Sequence, residues 1–297
     1  MPKPRRRAVA LASALCVLVV HASASSAFAS AIVPEHGGSP NADDIATLYI
    51  IILVLAVIIF IGVEGALIYS VVKFKARKGA VAAQIRGNTR LEIGWTVGAA
   101  LILVVLSIVT FLKLGAIRNP PQSGPNGYRA ATGILVAAGP KERLPKGGGD
   151  LHVCVNGQQY IWRYTYARDC SNAPLDAPFS YVEMVVPTAT TVTLDIRAQD
   201  VAHSWWVPKL GGKFDAIPGY TNYTWFKIPG RLTGHSFRGQ CAELCGRNHA
   251  NMLAAVRAVS PAAFERYLAT KKREIEAADA AAAASRKKLD KNPQANP

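Results

Sequence analysis

The sequence predicts a small all-β sandwich or barrel domain, anchored to a membrane by an N-terminal two-helix hairpin. Three observations carry this. Two long apolar segments lie ahead of residue 116, a Pro- and Gly-rich stretch follows them, and short alternating or β-branched runs then recur up to Val259. Half of the 297 residues are hydrophobic, more than a wholly water-exposed chain needs, which places part of it in lipid.

Residues 1–29 have the organisation of a signal peptide. Lys3, Arg5, Arg6 and Arg7 precede the apolar run Ala8 to Val20, and Ala27-Phe28-Ala29 offers small residues at a cleavage site. The hairpin is expected over 30–117. From Ile45 to Val72 the chain is apolar except for Glu64, and from Ile93 to Leu112 it is uncharged. At a rise of about 1.5 Å per residue, helices over 45–72 and 93–115 can each cross about 30 Å of hydrocarbon. The loop 73–92 carries Lys73, Lys75, Arg77, Lys78, Arg86 and Arg90, whereas Glu35, Asp43 and Asp44 flank the first helix. This asymmetry keeps the loop in the cytoplasm and puts both tails outside.

A linker over 118–150 contains Pro120-Pro121 and Gly147-Gly148-Gly149, which stop any regular element. The β domain is expected over 151–270. Its strand-like runs are His152 to Val155, Tyr160 to Tyr166, Tyr181 to Val186, Thr190 to Ile196, Tyr223 to Ile228 and Met252 to Val259. A helix from Pro261 to Thr270, with Pro in its first turn, closes the domain. Residues 271–297 are rich in Lys and Ala and read as a solvated helix or a disordered tail.

The net charge of +15 comes from short basic clusters beside apolar segments rather than from one amphipathic face, which argues against nucleic-acid binding. Of five cysteines one lies in the leader. Cys154 and Cys170 could bridge across a hairpin, as an exported domain allows.

The chemistry concentrates in Cys241-Ala-Glu-Leu-Cys245-Gly-Arg-Asn-His249-Ala-Asn-Met252. Two thiols, an imidazole and a thioether at this spacing are soft and borderline ligands that suit copper better than a hard cation. A second Cys in one tight loop lets two thiolates bridge two metal ions. The same residues could instead close a small disulfide or hold zinc, although Met is a poor zinc ligand.

This loop resembles the CuA-binding segment of cytochrome c oxidase subunit II. The resemblance extends upstream to Asp200-Val-Ala-His203-Ser-Trp205-Trp-Val-Pro208 and Lys213-Phe-Asp215-Ala-Ile-Pro218-Gly219. It implies a cupredoxin-like domain in which His203 and Met252 bind one copper ion and His249 and the Glu243 carbonyl the other, with Cys241 and Cys245 bridging both. It further implies that the Glu243 carboxylate faces a magnesium ion at the boundary with the catalytic subunit.

Gly157-Gln-Gln-Tyr160-Ile-Trp162-Arg-Tyr164-Thr-Tyr166 is similar to the aromatic segment through which the family receives electrons, with Tyr160 where Trp is usual. Tyr160 and Trp162 are the electron-entry candidates. Arg90-Leu-Glu92-Ile-Gly-Trp95-Thr96 resembles the segment whose Glu lies at a proton entry route, and Glu92 matches it. The implied partners are oxidase subunits I and III and, as donor, cytochrome c or a membrane-tethered cytochrome. The implied location is the bacterial plasma membrane with the copper domain on its outer face. From Arg118 to Thr270 the chain has sixteen Lys and Arg against ten Asp and Glu, a mildly basic balance that favours a less basic or tethered donor. A copper-free structural subunit of a quinol oxidase and a membrane-anchored copper carrier are the competing readings.

Overall fold

The computed structural model describes residues 32–76, 78–79, 81, 83–123, 127–128, 151–167, 170 and 177–291. The expected signal peptide and most of the linker 118–150 lie outside the described residues.

Helix α1 runs Pro40–Lys73 and helix α2 Thr89–Arg118. Both exceed the expected ranges, because Pro40 to Asp44 and Thr89 to Glu92 add polar turns beyond the apolar run. Pro sits in the first turn of α1, where its missing N–H costs nothing. Asn88 caps α2, its side chain accepting from the Leu91 N–H at 3.2 Å. Both helices expose apolar side chains along their length, the surface of a segment solvated by lipid or by other membrane helices. Lys113 Nζ meets Asp44 Oδ1 at 2.7 Å and ties the two outer ends together.

The β domain is a sandwich of two five-stranded sheets. Its strands are β1 (Leu151–Gln158), β2 (Ile161–Thr165), β3 (Phe179–Tyr181), β4 (Glu183–Pro187), β5 (Thr191–Ala198), β6 (His203–Trp206), β7 (Phe214–Ala216), β8 (Asn222–Lys227), β9 (Ser236–Cys241) and β10 (Leu253–Val259). One sheet has the order β3-β2-β1-β5-β8, the other β4-β10-β9-β6-β7. β1 pairs parallel with β5 and β4 parallel with β10, while the remaining pairs are antiparallel. Alternate residues of β1 point opposite ways. Leu151, Val153 and Val155 join a core with Trp162, Tyr164, Trp205 and Phe226, whereas His152 and Cys154 lie on the other face of the strand, where Cys154 packs with Ala167, Cys170 and Ala177.

The single run expected from Tyr181 to Val186 divides at Val182, whose φ of +65° is unusual for a β-branched residue. β3 ends there and β4 begins in the opposite sheet, so this turn carries the chain across the sandwich. Helix α3 runs Pro261–Lys291, well past Thr270. Phe264 and Leu268 of its first turns are buried on the core, and the stretch from Arg273 is mostly exposed. Cys154 and Cys170 form a disulfide with a Cα–Cα separation of 5.5 Å, within the usual range.

The hairpin and the sandwich are stitched together at β8. The Trp225 indole N–H donates to the Ile117 carbonyl (2.9 Å), Asn41 Nδ2 donates to the Trp225 carbonyl (2.8 Å), and the Lys227 N–H donates to Ser39 Oγ (3.0 Å).

Candidate metal centre

The loop between β9 and β10 closes on itself. The Cys241 N–H donates to the Met252 carbonyl at 2.9 Å, and the Ala242 N–H donates to the Ser204 carbonyl of β6 at 2.9 Å. A single helical turn, His249–Asn251, returns the chain to Met252. Because β6 lies beside β9, His203 enters the same space from a strand distant in sequence. All these donors sit at one end of the second sheet.

Cys241 and Cys245 are free thiols, 3.8 Å apart. Cys241 Sγ lies 3.9 Å from His203 Nδ1 and 3.2 Å from the Glu243 carbonyl oxygen. Cys245 Sγ lies 3.6 Å from His249 Nδ1 and 3.8 Å from Met252 Sδ. Cys241, Cys245, His203 and Met252 are buried, His249 is half-buried, and Glu243 is exposed although its carbonyl points inward. Three side-chain donor types, thiol, imidazole and thioether, thus converge from β6 and from the loop between β9 and β10, and two thiols at this distance are open to a metal rather than joined to each other.

The surroundings hold this set in place. Asp200 Oδ1 is 2.8 Å from His203 Nε2, which leaves Nδ1 for the thiol side. The same carboxylate accepts from the Gln159 N–H (2.6 Å) and the Val201 N–H (2.7 Å). Gln159 Nε2 donates to the Cys245 carbonyl at 2.6 Å, linking the β1–β2 turn to the loop. Trp162 packs edge-to-face on His203, ring centroids 5.8 Å apart. Gly157 makes room for both rings, since a Cβ there would stand 3.0 Å from Trp162 Cζ3 and 3.1 Å from His203 Cδ2. Gly246, with φ +125°, passes against Tyr160, where a Cβ would stand 2.7 Å from the phenol oxygen.

These contacts set the protonation of the thiol pair. Burial alone would raise the Cys241 thiol, but hydrogen bonding with His203 and with the backbone of Glu243 and Ser204 outweighs it and pulls the group down to about 6. Burial and the neighbouring Cys241 charge push Cys245 up to about 11. Of the two, Cys241 is therefore the thiol that ionises first. Burial opposes the charge on both His203 and Asp200, yet contacts with Cys241 and Asp200 raise His203, and the bonds from His203 and from the Gln159 and Val201 N–H groups hold Asp200 low.

Of the two electron-entry candidates, Tyr160 is half-buried in the β1–β2 turn, and Trp162 is wholly buried against His203. Tyr160 thus keeps part of its surface toward solvent, while Trp162 packs directly on the His203 ring. Glu92 lies in the first turn of α2, exposed, at the opposite end of the hairpin from the sandwich. Asp200, Gly157 and Gln159 carried no assignment in the sequence. Asp200 alone had a local signal, its place three residues before His203.

Fold and donor set together define a membrane-anchored, metal-binding β-sandwich protein. Residues 151–259 match the family model for the cytochrome c oxidase subunit II periplasmic domain, and residues 27–112 match that for its transmembrane domain. A probable cytochrome c oxidase subunit 2 of Rickettsia bellii is 30% identical over 264 residues, covering 82% of this chain and 87% of that one. The cytochrome c oxidase subunit 2 of Alkalihalophilus pseudofirmus is 31% identical over 217 residues, covering 72% of this chain, which spans 54% of that relative. The periplasmic domain of subunit II of cytochrome oxidase from Bradyrhizobium japonicum is 32% identical, covering 42% of this chain and 96% of that one with a TM-score of 0.37. The chain belongs to the cytochrome c oxidase subunit II family. It is accordingly a subunit of a cytochrome c oxidase, a terminal oxidase complex, of a copper-binding family, anchored by two membrane helices with its β domain outside.

Proposed function

We propose that this chain carries electrons singly from cytochrome c, or from a membrane-tethered cytochrome, to the haem-copper subunit I. There oxygen is reduced to water with coupled proton translocation, and subunits I and III flank the hairpin in the membrane. The observation that carries the reading is the position of the two thiols. Under the ligand assignment above, one copper ion takes His203 and Met252 and the other His249 and the Glu243 carbonyl. Cys241 then touches one donor of each ion, His203 and Glu243, and Cys245 likewise touches His249 and Met252. That is what a bridging thiolate requires, and the soft donors fit copper.

When bound, the copper pair supplies a one-electron store shared over two metals. The chain's part is to hold the ligands rigidly. Asp200 fixes the His203 ring, Gly157 lets Trp162 lock it, and the loop's hydrogen bonds to β6 keep both sulfurs buried. Tyr160 is the entry residue on the solvent side. Glu243 turns its carbonyl inward and leaves its carboxylate free for a magnesium ion at the subunit I boundary. Glu92, at the cytoplasmic end of α2, serves the proton entry route.

Copper content and electron paramagnetic resonance of the full-length chain in detergent test this. Two coppers per chain, with hyperfine structure from one electron spread over two equivalent nuclei, are expected. The signal should vanish in Cys241→Ser. A spectrum of a single isolated copper, or a mixed-valence signal that survives Cys241→Ser, refutes the bridged pair.

A further inference from the structure

The outer face of the first sheet holds a second concentration of ligand-type side chains, unrelated to the β9–β10 loop at the end of the second sheet, hereafter the terminal loop. On β1, His152 and Cys154 point the same way, and on the adjoining strand β5 so do Thr193 and Asp195, in parallel register with them. Cys170 closes over this patch through its disulfide to Cys154 and through Arg197 Nη1, which donates to the Cys170 carbonyl at 3.1 Å. All four of His152, Cys154, Cys170 and Asp195 are more than nine-tenths buried.

We propose that His152, Cys154, Cys170 and Asp195 form a redox-gated second metal site, closed as the disulfide and, once a dithiol opens it, a tetrahedral site for a thiophilic d10 cation such as Zn2+. The ligand atoms of His152, Cys154 and Cys170 lie within 4.8 Å of one another. His152 Nε2 stands 3.3 Å from Cys170 Sγ and 3.6 Å from Asp195 Oδ1. Tetrahedral zinc, with bonds of about 2.0–2.3 Å to N, O and S, has edges of roughly 3.3–3.6 Å between such atoms. Two edges are therefore already in place, and only the sulfurs have to separate. The two thiols of the terminal loop, 3.8 Å apart, display the spacing such a pair adopts when unbonded.

The imidazole is oriented as a metal-binding imidazole is. Its Nδ1 is held by Thr193 Oγ1 at 3.0 Å, so that Nε2 alone faces the sulfur and the carboxylate. His152, Thr193 and Asp195 also form part of the wall of a cavity of about 670 Å³, which opens between the end of α2 and this sheet and gives an ion a path in.

The chemistry balances. The disulfide accepts two electrons and two protons from an added dithiol, which is itself oxidised to a disulfide, leaving two Cys thiols. Zn2+ then displaces the two thiol protons, while neutral His152 and the Asp195 carboxylate bind without change of protonation.

The test uses the full-length chain in detergent with Cys241→Ser and Cys245→Ser, so that the terminal loop takes up no zinc. Zinc is titrated against a chromophoric chelator before and after dithiol reduction. The oxidised chain should hold no zinc. The reduced chain should hold one equivalent and release protons as it binds. Co2+ in place of zinc should give a thiolate charge-transfer band that Cys154→Ser abolishes. His152→Gln and Asp195→Asn should each weaken zinc binding by about 10- to 100-fold. Equal zinc uptake before and after reduction overturns the proposal, and so does uptake by the reduced chain that is indifferent to both His152→Gln and Asp195→Asn.

Discussion

Gly157→Ala probes the packing that positions His203. Gly157 pairs with Trp162 across β1 and β2, and an added Cβ would meet Trp162 Cζ3 at 3.0 Å and the His203 ring at 3.1 and 3.2 Å. Both rings are wholly buried, and neither offers a flexible end that could swing aside. Inserting a methyl into such a site costs about 1–3 kcal/mol. For a domain of this size each kcal/mol lowers the thermal midpoint by about 3–5 °C. The strain can be relieved in the metal-free chain by moving the His203 ring away from Cys241, a relief that is withdrawn when the ring must bind metal. If one or two kcal/mol of the strain reappears on binding, copper affinity falls by about 5- to 30-fold. Thermal unfolding of the metal-free chain followed by near-ultraviolet circular dichroism, and copper titration against a chelator, measure the two effects. Gly230→Ala, where nothing lies within 4 Å of the added Cβ, is the control. A Gly157→Ala chain with the midpoint and copper affinity of that control would refute the packing argument.

Asp200→Ala removes an acceptor of three hydrogen bonds from a side chain that is 32% exposed. Solvent screening reduces the loss to about 1–2 kcal/mol of stability, while copper affinity, read by the same chelator competition, should fall about 10- to 100-fold. The metal-free thiol pair should give the domain a pH-dependent stability. Cys241, near 6 when folded against an ordinary 9.0, makes stability rise between about pH 6 and 9. Cys245, near 11, makes it fall again between about pH 9 and 11. The difference in thermal midpoint between the metal-free wild type and the Cys241→Ser/Cys245→Ser chain should therefore peak near pH 9, and a flat difference would contradict the assignment. Deleting residues 276–297 removes the exposed stretch 276–288 of α3 and leaves Phe264 and Leu268 untouched. The unfolding free energy of the sandwich should change by less than about 0.5 kcal/mol in chemical denaturation.

The hairpin was legible because a membrane span is written in one contiguous run, whose apolar length needs no partner elsewhere in the chain to be recognised. Its ends were not, since Pro40 to Asp44 and Thr89 to Glu92 are polar turns that owe their helicity to contacts with β8 in α1 and to the Asn88 cap in α2. Strands with strong alternation, such as β1, β5 and β10, stood out, but β7 and β9 did not. β9 reads Ser236-Phe-Arg-Gly-Gln-Cys241 and forms a strand because β10 and β6 flank it, not through propensity. The division at Val182 was likewise invisible, because a chain crossing between sheets looks locally like one continuous run.

The metal centre divides along the same line. Cys241, Cys245, His249 and Met252 belong to one loop, so their spacing alone announces a soft-ligand set, whereas His203 needed a resemblance to be joined to them. What orients His203 arises from sheet register: Gly157 and Trp162 face each other only because β1 and β2 pair as they do, and Gln159 meets Asp200 only because the β1–β2 turn lies over the residues that precede β6. The register that pairs β1 with β5 also sets Cys154 beside Asp195 and His152 beside Thr193 on the far face of the same sheet. A ligand set confined to one loop can be read from its spacing, but one assembled across strands becomes readable only once the register is known, and that is why the second cluster had no voice in the sequence beyond two cysteines sixteen residues apart.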